Sequence, residues 1–77
     1  MKVSVVSAEW GSPSSSKPGW VLRFSGGPFD GVPLSPAPEW AEAGHDLDED
    51  DIRDMIHATA SWEGIPLAGD FTVNVRR

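Results

Sequence analysis

The chain has no cysteine, which excludes a disulfide-stapled scaffold, a thiolate zinc site and a cysteine nucleophile. Basic residues are scarce as well. Six Lys and Arg stand against twelve Asp and Glu, for a formal net charge of −6. Bulk charge therefore cannot hold a nucleic-acid backbone or an anionic membrane. No apolar run approaches the roughly 20 residues that a membrane-spanning helix needs. The opening Met1-Lys2-Val3-Ser4-Val5-Val6 has neither the apolar length nor the cleavage pattern of a signal peptide. The expectation is a cytoplasmic protein with no direct nucleic-acid binding and no membrane contact.

What remains suits one small domain. A mass of 8.3 kDa scales to roughly 4,600 Å² of folded surface from roughly 12,000 Å² unfolded, so about 60% is buried. Such a core is marginal without staples. We read residues 1–77 as a single domain, with a flexible Ser/Pro/Gly loop at 11–19 and a Pro-rich connection at 32–39.

Residues 2–10 carry Val3 and Val5 on one face and Val6 and Ala8 on the other, a strand with cover on both sides. In the segment 20–25, Trp20, Leu22 and Phe24 alternate with Val21, Arg23 and Ser25, which is the clearest strand pattern in the first half. A turn with three glycines and a proline follows at 26–31, in which Asp30 is placed to bond a backbone amide. The stretch 40–43 admits a short third strand. Asp48 then reads as a helix N-cap, with Glu49, Asp50 and Asp51 in the first turn where the helix dipole favours acids. Leu47 and Ile52 have the spacing of a hydrophobic staple. Ile52, Met55, Ile56, Thr59 and Ala60 form one buried stripe, and Gly64 fits the C′ position. Phe71, Val73 and Val75 alternate inward along a last strand. The order β-β-(β)-α-β predicts an α+β fold: a small antiparallel sheet of three or four strands covered on one face by one helix.

Charge is concentrated. Between Glu39 and Asp54 lie eight acids and one base, Arg53, whereas the other 61 residues carry four acids and five bases. The run Asp46-Leu47-Asp48-Glu49-Asp50 resembles the start of a calcium loop, but that pattern needs Gly at position six and Glu at position twelve. Asp51 and His57 stand there, so the run reads as an acid-rich helix start. No metal or other cofactor is expected. His57 falls on the helix flank with no nucleophile or carboxylate at a recognisable spacing, and reads as structural. The turn at 26–31 lacks the GK[ST] of a phosphate loop and the spacing of a dinucleotide site. An enzyme would have to work with carboxylates alone, and none is expected.

Four tryptophans are many for this length. Trp20 reads as core. Trp62, at the helix end, either closes the apolar stripe or sits half exposed. Trp10 and Trp40 flank loops, and either form an interface beside the acids or cap the open ends of a thin core.

The strand Trp20-Val21-Leu22-Arg23-Phe24, the turn Gly27-Pro28, the small residues Ala41-Glu42-Ala43-Gly44, the run Leu47-Asp48-Glu49, the helix Ile52-Arg53-Asp54-Met55-Ile56 and the strand Phe71-Thr72-Val73-Asn74-Val75 together resemble the HicB-like antitoxin domain in its short single-domain form. The resemblance covers roughly residues 20–76. It implies a partial RNase-H-like fold, often dimeric and without ribonuclease activity, that occludes a small basic toxin cleaving mRNA. The Ser/Pro loop and the stretch from Pro33 to Pro38 are longer and more proline-rich than the family pattern, and residues 1–77 contain no DNA-binding helix pair, so operator binding is not carried over.

The functional expectation is a small acidic protein-binding module that neutralises a basic partner. The candidate partner-binding residues are Glu42, Asp46, Glu49, Asp50, Asp54 and Trp40. A phage-type inhibitor that mimics DNA charge on a host nucleic-acid enzyme, of the anti-CRISPR or anti-restriction kind, has the same physics with a larger partner. A carboxylate metal protein using Asp46, Asp48, Asp50 and His57 is a third reading. Edge strands in so small a sheet also admit a homodimer by strand pairing.

Overall fold

The structure, a computed structural model, describes residues 2–11 and 19–76. Most of the loop expected at 11–19 lies outside the described residues. Strand β1 (Val3–Gly11) pairs antiparallel with β2 (Gly19–Phe24), in a register running from Val6 opposite Phe24 to Gly11 opposite Gly19. Helix α1 (Glu49–Glu63) leads into β3 (Leu67–Arg76), and β3 pairs with the other side of β1. The sheet order is β2-β1-β3.

The α+β class and the helix-on-sheet layering are as expected, but the sheet is mixed. β3 runs parallel to β1, because the chain returns through a helical crossover and not through a tight turn. Alternation along a strand identifies its faces and says nothing of its neighbours, so the direction of this pair was not visible in the pattern.

One face of the sheet is covered. Val6, Ala8, Trp20, Leu22, Phe24 and Phe71 are buried there against Ile52, Met55, Ile56 and Ala60 of the helix. Val3 and Val6 are both buried and belong to one core cluster. The β1–β3 register shifts between Val3 and Val5, where β3 carries extra residues between Leu67 and Thr72. Val75, expected inward, is 36% exposed at the far end of the edge strand β3.

No third full strand forms at 40–43. Pro38–Trp40 is instead a short 3₁₀ turn, and the extra pairing occurs earlier, where Leu34 exchanges two backbone hydrogen bonds with Leu22. Pro33 and Pro36 limit that contact to a single bridge, since neither has an N–H to extend a ladder. The Pro-rich connection is tied to the helix through Thr59. Its hydroxyl accepts from the Ala37 N–H at 3.0 Å and donates to the Met55 carbonyl at 2.8 Å. In the turn before it, Gly27 has φ 77°, and a Cβ there would lie 3.1 Å from Val3 Cγ2. The site needs glycine both for its backbone and for the close approach. Asp30 Oδ1 accepts from the Gly26 N–H at 2.7 Å, as the turn chemistry predicted.

The helix ends are as read from the sequence. Asp48 Oδ1 accepts from the Asp51 N–H at 2.8 Å. At the other end Gly64 adopts φ 72°, while Ile65 N–H reaches back to the Ala60 carbonyl at 2.8 Å, closing the helix in the Schellman manner. Among the described residues no helix is long and apolar enough to cross a membrane.

Candidate protein-binding surface

The acidic segment becomes a surface because of what the helix does with its residues. Asp48 is used as the N-cap. Glu49 and Asp50 begin the helix and point to solvent, and Asp54 follows one turn after Asp50, also exposed. At 1.5 Å per residue these three carboxylates occupy roughly 8 Å of helix length. Their position at the positive end of the helix dipole offsets part of their mutual repulsion.

Arg53, the only base in the segment, does not neutralise them. Its guanidinium carbon lies 4.3 Å from the centroid of the Phe71 ring, a cation–π geometry across the helix–sheet seam. His57, one turn on, meets the same ring edge-on at 5.1 Å. Together they cover Phe71, which is 1% exposed. Among the described residues the ion pairs are Glu9–Arg23 at 3.0 Å and His45–Asp46 at 3.7 Å. Glu42, Glu49, Asp50 and Asp54 therefore face solvent with no basic side chain against them among the described residues.

The six residues predicted for partner binding separate into two groups. Glu42 and Asp46, on the segment before the helix, and Glu49, Asp50 and Asp54 are all exposed. Trp40 is half-buried and packs against the core at the end of the 3₁₀ turn. Trp10 is half-buried as well, set edge-on to Trp20 and to His45 at 5.4 Å each. The Trp20 indole N–H donates to the Gly44 carbonyl at 2.8 Å. These aromatics close the end of the core below the acidic segment and hold its backbone in place.

The exposed tryptophan is Trp62, at 66%. Asp54, Ala58 and Trp62 are spaced i, i+4 and i+8, one row along the outer side of α1. The periodicity carried this signal. A stripe through Ile52, Met55, Ile56, Thr59 and Ala60 continues to position 63, which leaves 62 off the core face.

No group of three or more His, Asp or Glu among the described residues has a metal-holding arrangement. Asp46, Asp48, Asp50 and His57 do not converge: Asp48 caps the helix and His57 lies on Phe71. On the uncovered side of the sheet, Ser7, Glu9, Arg23, Asn74 and Arg76 line an open groove of about 570 Å³. Arg23 there is already engaged by Glu9.

No family model, curated protein or solved structure matches the chain, and none identifies a HicB-like domain.

Proposed function

We propose that the chain is a non-enzymatic binding module that covers a basic protein partner with the outer side of α1 and the acidic segment before it. One observation carries the reading. Among the described residues the exposed carboxylates of Glu42, Glu49, Asp50 and Asp54 have no basic side chain paired with them, and Arg53 is turned onto Phe71. Unneutralised carboxylates gathered at one place steer a basic partner and repel nucleic acid. Trp62, at the end of the same helix face, supplies the kind of large exposed aromatic that anchors interfaces. In the antitoxin-like form of this reading, which rests on the sequence resemblance, the partner is a small mRNA-cleaving toxin silenced by occlusion.

The test is capture on the immobilised protein from a lysate of the cells that encode it, with stepwise salt elution and identification by mass spectrometry. The wild-type chain is compared with the triple variant Glu49→Lys, Asp50→Lys, Asp54→Lys. A small basic protein held by the wild type, released by salt and lost from the triple variant, is the expected result. Equal retention by the folded triple variant would remove the helix start from the interface. Capture of a large nuclease or polymerase, displaced by added DNA, would replace the toxin with a DNA-mimicry target. Circular dichroism checks folding, and the neutral variant Glu49→Gln, Asp50→Asn, Asp54→Asn shifts elution in the same direction without opposing the helix dipole.

A further inference from the structure

The chain treats the two edges of its sheet differently. The outer edge of β2 is covered by the Leu34 bridge, flanked by Pro33 and Pro36. The outer edge of β3 has no pairing segment among the described residues. Its ten residues, LAGDFTVNVR, contain neither proline nor lysine, two common blockers of edge pairing. The register irregularity ends before Thr72, and from Thr72 to Arg76 the strand follows Val5 to Glu9 without a break. That half offers a regular backbone for another strand to follow.

The side chains of this edge are complementary to themselves. An antiparallel copy related by a two-fold axis at Val73 sets Asp70 opposite the partner's Arg76 and Phe71 opposite the partner's Val75. Thr72 then meets the partner's Asn74, and Val73 meets the partner's Val73. Directly opposed residues of an antiparallel pair project from the same face. The pairs therefore sort by chemistry. Phe71, Val73 and Val75 meet on the covered side, where Val75 is left 36% exposed in the single chain. Thr72, Asn74 and Arg76, all exposed, meet on the open side, and Asp70, exposed just before the regular half, brings an opposite-charge pair to each end. Moving the axis to Thr72 or Asn74 loses both charge pairs.

We infer that the outer edge of β3 is an isologous interface on which a second copy of this chain adds its own β3, in the register centred on Val73. The two three-stranded sheets become one continuous sheet with both helices on the same face. Closed two-fold symmetry satisfies both edges at once and leaves none open for further addition. The outer side of α1 is not consumed, so this interface stands apart from the proposed partner surface.

Sedimentation of the purified full chain over a concentration series tests this with no partner present. A mass rising to twice the 8.3 kDa of one chain is expected. Asp70→Arg alone, or Arg76→Asp alone, sets like charges at both ends and weakens dimerisation about tenfold. The double variant Asp70→Arg, Arg76→Asp restores it. Both residues are exposed, and circular dichroism confirms that each variant folds. Because the chain lacks cysteine, Val73→Cys forms an intermolecular disulfide under mild oxidation. Asn74→Cys, offset by two residues from its copy, exceeds disulfide reach. A monomer at every concentration, a dimer indifferent to the single reversals, no restoration in the double variant, or assemblies that grow beyond two copies would each overturn the inference.

Discussion

The two sides of α1 have opposite characters. The sheet-facing side, Ile52, Met55, Ile56, Thr59 and Ala60, is buried and carries no charge. The outer side carries Asp50, Asp54 and Trp62, all exposed. Between them, on one flank, Arg53 and His57 lie over Phe71. One helix thus keeps its packing and its exposed acids on different surfaces, with Arg53 assigned to packing. Damage to one surface is expected to leave the other intact, and substitutions on each side measure how far that separation holds.

The largest effect is expected from Ile56→Ala. Truncating a fully buried aliphatic residue costs about 2–5 kcal/mol, a large share of the roughly 4–12 kcal/mol available to a domain of this length. Thermal and urea unfolding should show a major loss of stability, and a small loss would mean that the helix is packed more loosely than its burial indicates. Thr59→Val comes next, at about 1–3 kcal/mol. It keeps the shape but removes the acceptor of the buried Ala37 N–H, and urea midpoints of the two proteins compare it directly with the aliphatic truncation. Asp48→Ala should cost about 1 kcal/mol through loss of the N-cap, again read from the unfolding midpoint. Trp62→Ala lies at the other extreme, within about 0.5 kcal/mol of the wild-type stability, as for an exposed side chain without buried partners. The same substitution should weaken capture of the basic partner. If Trp62→Ala lowered the unfolding midpoint as far as Asp48→Ala, the division between the two sides of the helix would fail.

Much of α1 was legible in advance because its signals are local. The cap at Asp48, the buried stripe and the left-handed Gly64 follow from residue types within a few positions of one another, and each is observed. Strand β2 was equally legible, because Trp20, Leu22 and Phe24 alternate and one face is covered. The Asp30 turn follows the same logic. Less was visible where the controlling partner is distant in sequence. Trp40 is followed by small residues and an acid, which suits an exposed interface aromatic, yet the 3₁₀ turn lays it against the core. Arg53 is surrounded by carboxylates in sequence, but the ring it meets belongs to residue 71. The start of β3 at Leu67 was also missed, because residues 68–70 include Gly69 and Asp70 and break the alternation before Phe71.

Residue order by itself determined the α+β class, the helix limits, its buried stripe and the crowding of acids between Glu39 and Asp54. These depend on periodicity, capping and charge along a short span of chain. Tertiary structure alone decided that β3 runs parallel to β1, that Leu34 pairs with the outer edge of β2, and that Arg53 stacks on Phe71 and not on the carboxylates around it in sequence. The physical reason is shared by all three. Each is a contact between segments far apart in sequence, chosen by which faces can be buried together, and no local pattern records that choice.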